Sequence, residues 1–159
     1  MKKITLTIFA ISLLLSCHDD KETPLSDNVA SATLNNGGWN AVLNVYFDPN
    51  SADSLRFQAV TNRPNDEVMN LIIKFQGIGS YELTSQSASY YTTVGGDVIS
   101  SVYVLDNSAP LHFEITEYTA DTKTIEGDFR MVFKKKRGMP TDSAALNFHN
   151  GRFKGVIKN

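Results

Sequence analysis

Trp39-Asn40-Ala41-Val42-Leu43-Asn44-Val45-Tyr46-Phe47 alternates strictly. Trp39, Ala41, Leu43, Val45 and Phe47 fall on one side, while Asn40 and Asn44 fall on the other. Successive side chains of an extended chain point to opposite faces, so this run reads as a strand with one buried face. The Asn35-Asn36-Gly37-Gly38 stretch before it tolerates positive φ and reads as a hairpin turn, and Asp48-Pro49-Asn50 turns the chain after it.

The same period of two recurs on both sides of this run. Ala30, Ala32 and Leu34 alternate with Ser31 and Thr33. Leu55 to Thr61 places Leu55, Phe57 and Ala59 inward, and Val68 to Phe75 does the same with Met69, Leu71, Ile73 and Phe75. A short strand is expected over Ser80 to Leu83. Tyr90 to Val94 and Val98 to Leu105 flank Gly95-Gly96-Asp97, a hairpin signal. Leu111, Phe113 and Ile115 share a face, as do Ile125, Gly127, Phe129, Met131 and Phe133. Ala144 to Phe148 and Arg152 to Ile157 read as two closing strands joined at Asn150-Gly151. Many short strands, regular turns and no strong helical period predict an all-β fold, a single antiparallel β-sandwich or β-barrel-like domain.

The chain has 159 residues, with Lys+Arg 15 against Asp+Glu 17. Lys2 and Lys3, then the apolar run Ile4 to Leu15, have the form of an export signal. As a helix that run covers roughly 18 Å, against about 30 Å of bilayer hydrocarbon, so it is too short to span. Leu14-Leu15-Ser16-Cys17 resembles a bacterial lipobox, in which the cysteine is acylated after cleavage before it. Cys17 is the one cysteine in the chain. The expected organisation is a signal peptide over 1–16, an acylated Cys17 with a flexible tether over 17–29, and an all-β domain over 30–159. Each buried CH₂ contributes about 0.8 kcal/mol, and one acyl chain alone binds only marginally. The lipobox resemblance implies several chains, hence a firm anchor. The acidic His18-Asp19-Asp20-Lys21-Glu22 segment reads either as a solvated tether or as a surface-export signal of the kind seen in Bacteroidota-type lipoproteins.

Removing the leader takes Lys2 and Lys3 with it. Lys+Arg falls from 15 to 13 against 17 acids, a net charge of about −4. A mildly acidic domain lacks the basic footprint that phosphate backbones require, so nucleic acid is not an expected partner. With its cysteine acylated the domain has no disulfide, no thiolate zinc site and no thiol nucleophile.

Leu34 to Ala41, Gly79-Ser80-Tyr81-Glu82-Leu83, Ile115-Thr116-Glu117-Tyr118, Ile125-Glu126-Gly127-Asp128-Phe129 and Asn150-Gly151-Arg152-Phe153, in this order, resemble a family of Bacteroidota-type outer-membrane lipoproteins of unknown function. The resemblance implies an all-β domain behind a lipobox and carries no catalytic residues. Lys134 to Arg137 departs from it, standing where relatives continue with uncharged strand residues.

Candidate chemistry is sparse. His112, Glu114, Thr116 and Tyr118 alternate onto one strand face, as a metal or acid–base site needs and as an ordinary polar face also provides. His149 reads as an exposed turn residue. Asp48, Asn50 and Asp53 offer oxygen ligands in a turn but lack the rest of a calcium loop. Lys134, Lys135, Lys136 and Arg137 read as a basic hairpin tip, a candidate contact for lipid headgroups or glycan, or a solvated guard of a sheet edge. Gly127 is expected to make room for an aromatic ring such as Trp39, and Gly151 to take the positive φ of a turn. No cofactor is expected, and no serine or phosphate-loop motif is present.

The function expected from these features is that of a lipid-anchored, non-enzymatic lipoprotein of the outer membrane. It would be a binding or accessory module on the periplasmic or surface face, with other envelope proteins, glycan or a small hydrophobic ligand as partners. An envelope or polymer hydrolase and a structural surface protein are the alternatives.

Overall fold

The computed structural model describes residues 25–61 and 66–158. Cys17, His18 and the leader lie outside the described residues. Among the described residues there is no helix. Ten strands form one sheet: β1 (Val29–Leu34), β2 (Gly37–Asp48), β3 (Ser51–Val60), β4 (Glu67–Lys74), β5 (Gly79–Ser80), β6 (Ala88–Val94), β7 (Val98–Leu105), β8 (His112–Thr119), β9 (Thr124–Arg137) and β10 (Ala145–Lys158).

The sheet closes on itself. β1 pairs with both β2 and β10, and beyond the start of β1 the two meet directly at Ile157–Val45. β7 and β8 lie end to end along β9. β7 covers its Phe133–Arg137 half, and β8 its Thr124–Arg130 half. β5 and β6 share the next lane, β5 against β8 and β6 against β7. Ten strands therefore fill eight lanes, antiparallel except for the short β2–β10 contact. An eight-lane barrel is just wide enough for side chains to fill its interior, and closure leaves no long unpaired edge among the described residues.

The three apolar faces seen in the sequence do meet in one interior. Trp39, Leu43, Val45, Leu71, Ile125, Met131 and Phe133 are all buried in a single cluster. Phe47 departs from its face: it sits beside the bulge at Asp48, is 41% exposed, and packs edge-on against Phe75. Trp39 is core, edge-on to Phe148, and its indole N–H donates to Glu67 Oε2 at 3.2 Å. Tyr90 packs beside them, and burial pushes its phenol well above the usual tyrosine range.

Packing between β9 and β10 depends on alternation of large and small residues. The cross-strand pairs are Phe129–Gly151, Gly127–Phe153 and Ile125–Gly155. A Cβ on Gly127 would stand 2.0 Å from the Glu114 carbonyl and 2.6 Å from the Phe153 ring. The aromatic neighbour of Gly127 is thus Phe153, not Trp39. Phe153 stacks on Phe113 at 5.1 Å, and Phe57 meets both edge-on.

β10 is a single strand rather than two. The register shifts between Phe148 and Gly151, leaving His149 and Asn150 in a bulge. Asn150 takes the positive φ, 52°, as short polar side chains can. Gly151 is required for room: a Cβ there would lie 2.6 Å from the Phe129 ring.

Candidate functional site

Among the described residues the barrel interior is filled by side chains. An apolar void there measures about 20 Å³, between Leu43, Phe57, Met69, Phe129 and Phe153. Small-molecule sites run to about 300–1,000 Å³. A void of this size is no larger than one water, and an apolar lining offers a water no partners.

The outer wall is more open. A groove of about 600 Å³ runs over β8, β9 and β10, lined by His112, Asp128, Arg130, Asn150 and Arg152. Sheet geometry builds it. His112 and Glu114 are two apart on β8 and so share the outer face. Asp128 on β9 lies directly opposite Glu114, Arg130 opposite His112, and Arg152 on β10 opposite Asp128. His112 Nε2 stands 2.7 Å from Asp128 Oδ1 and 3.6 Å from Glu114 Oε2. The three ligand atoms all lie within 4.8 Å of one another. All three side chains are partly exposed, at 43%, 38% and 45%.

One member of the expected polar face, Tyr118, departs from it. The β8–β9 register shifts between Ile115 and Glu117, and the extra residue reverses the alternation beyond it. Thr116 stays outside, but Tyr118 turns back against the core, edge-on to Phe75. The sequence pattern does not bring Asp128 into the cluster, because its place opposite Glu114 depends on register, which alternation alone does not reveal.

The basic run is not a hairpin tip. Lys134 to Arg137 form the end of β9, and the turn follows at Gly138 to Ala144. Their side chains separate accordingly. Lys134 pairs with Asp106 at 3.5 Å. Lys135 donates to the carbonyls of Met139 and Asp142, at 3.0 and 2.8 Å, and so ties down the turn. Asp142 completes the anchor by accepting from Ser101 Oγ and the Met139 N–H. The Ser101 hydroxyl, the Met139 N–H and the nearby Lys135 hold the Asp142 carboxyl below the usual range. Lys136 and Arg137 remain exposed.

The Asp48–Asp53 loop is used internally. Asp48 accepts from the Asn50 N–H at 2.9 Å and from Arg56 Nε at 2.7 Å, which hold its carboxyl low. Asp53 bonds Ser51 and faces Lys74. These oxygens are occupied by protein donors, the arrangement of a turn rather than of a calcium loop. His149 is half-buried in the β10 bulge.

Val94, Val98 and Ile99 at the β6–β7 tip and Met139 in the β9–β10 turn are exposed apolar residues. They lie at the end of the barrel toward which β1 runs, away from the entry of the chain at Val29. Among the described residues no helix is long and apolar enough to cross a membrane. Comparison with family models, with curated proteins and with solved structures found no match to this chain.

Proposed function

We propose that the chain is a lipid-anchored lipoprotein of the bacterial outer membrane, a non-enzymatic binding or accessory module that works through the outside of its barrel. Leu14-Leu15-Ser16-Cys17 carries the reading: one cysteine in the chain, placed where a lipobox needs it, behind an export signal too short to span. The resemblance to Bacteroidota-type lipoproteins supports it. From Cys17 to Leu25 the chain reaches at most about 28 Å, so the anchor would keep the barrel close to the bilayer surface.

The packed interior favours recognition at the outer wall over capture of a small hydrophobic ligand. The groove along β8–β10 offers a polar surface of mixed charge, suited to a protein or glycan partner rather than to an acyl chain. A structural surface protein is the second reading, favoured by the filled core together with the apolar tip at Val94, Val98 and Ile99. Cell fractionation of Cys17→Ser tests the anchor. The variant is expected in the soluble fraction or as unprocessed precursor, and wild-type retention as mature protein in the outer membrane would overturn the proposal. Cross-linking on intact cells separates the two roles: hetero-complexes fit an accessory module, and a ladder of copies fits a structural coat.

A further inference from the structure

The convergence of His112, Glu114 and Asp128 is fixed by backbone register rather than by chance approach of long side chains. Two of the groups are neighbours on one face of β8, and the third lies across the ladder from Glu114. Two ligands on a tetrahedral ion with metal–ligand bonds of about 2.0–2.2 Å stand roughly 3.3 Å apart. The observed His112–Asp128 and His112–Glu114 separations of 2.7 and 3.6 Å bracket that value. We propose that these three side chains bind a divalent transition-metal ion of the zinc type on the outer wall of the barrel.

The donor set selects the ion. One imidazole nitrogen with two carboxylates suits zinc, nickel, cobalt or copper, whereas calcium and magnesium prefer oxygen alone. The two carboxylates match the charge of a divalent cation. The ion displaces only an exposed histidine–carboxylate contact, which is weakly held in water. Three protein ligands leave a coordination position open. Here it opens to the groove over β8–β10, so it takes water or a ligand group from solvent. The site stands whether or not Cys17 is acylated, because it uses only the barrel wall.

The chain has three histidines, His18, His112 and His149, which makes the test clean. The full chain, untagged and in detergent, is titrated with Zn²⁺ by calorimetry and with Co²⁺ by visible absorption. Compared with it are His112→Ala, Glu114→Gln, Asp128→Asn and the double variant His18→Ala/His149→Ala. Far-UV circular dichroism and Trp39 fluorescence check that each variant is folded. The expected result is one equivalent bound, weakened roughly tenfold or more by each change in the cluster and unchanged in the double variant. Excess Ca²⁺ or Mg²⁺ does not compete. Absence of saturable binding at millimolar metal, full binding by His112→Ala, or loss of binding in the double variant would each overturn the site. Should His112→Ala unfold, Glu114→Gln and Asp128→Asn decide, since they keep shape and remove charge.

Discussion

Gly127→Ala is the sharpest probe of the barrel's packing. The new methyl would lie 2.0 Å from the Glu114 carbonyl oxygen, where ordinary contact begins at 3.4 Å, so a shift of about 1.4 Å is needed. That oxygen is backbone and cannot rotate away, and the other side is closed by the Phe153 ring, itself stacked on Phe113. Relief requires β8 to separate from β9. Overpacking typically costs about 1–3 kcal/mol, and a lost ladder hydrogen bond about 1 more. The smaller unfolded-state entropy of alanine returns about 0.4–1 kcal/mol. The net expectation is a loss of about 1–3.5 kcal/mol. With a urea m-value of about 2 kcal/mol/M, the midpoint moves down by roughly 0.5–1.8 M. Trp39, the chain's one tryptophan and 1% exposed, reports the transition by fluorescence. Gly38→Ala is the control, because nothing lies within 4 Å of its Cβ position. With no clash to offset the entropy gain, it should match wild type or exceed it by up to about 1 kcal/mol. If Gly127→Ala behaves like Gly38→Ala, β8 does not approach β9 as described and the packing account of this wall fails.

Other outcomes follow from the same contacts. Phe129→Ala should cost about 3–5 kcal/mol in urea unfolding, as deletion of a buried aromatic does, and a neutral result would put that face of β9 outside. Lys135→Ala should cost about 1 kcal/mol because its ammonium holds two turn carbonyls, while exposed Lys136→Ala should stay within about ±0.5 kcal/mol. Asp48 and Asp142 have folded-state values below the ordinary 3.8, so their stabilisation is complete above about pH 4 and lost as pH falls through the lower, folded-state values. Stability followed from pH 7 to 2 should therefore be level with respect to these groups down to about pH 4. Asp48→Asn and Asp142→Asn should flatten the acid limb, and an unchanged limb in both would contradict their role.

The sequence yields the strands readily and their arrangement poorly, for a physical reason. Alternation has a period of two, so Trp39 to Val45 and Ile125 to Phe133 declare their buried faces without reference to partners. Which strand lies beside which is a matter of long-range pairing. The end-to-end placement of β7 and β8 along β9 leaves no mark in either strand. Bulges add a second loss: one extra residue near Thr116 sends Tyr118 inward, and the bulge at His149–Asn150 makes one strand look like two. The candidate site follows the same rule. His112 and Glu114 are visible as a pair because they sit two apart on one strand, whereas Asp128 joins them only through register. The basic run reads as a hairpin tip because four consecutive charges conceal alternation: Lys135 ties down the turn, while Lys134 and Lys136 are exposed.

Mass spectrometry of the mature protein from a bacterial outer-membrane fraction tests the central claim most directly. The account predicts an N-terminal peptide beginning at Cys17, heavier than its sequence by a diacylglyceryl group and an N-acyl chain, and absent from the Cys17→Ser variant. A mature chain with an unmodified Cys17, or one beginning elsewhere, would contradict it.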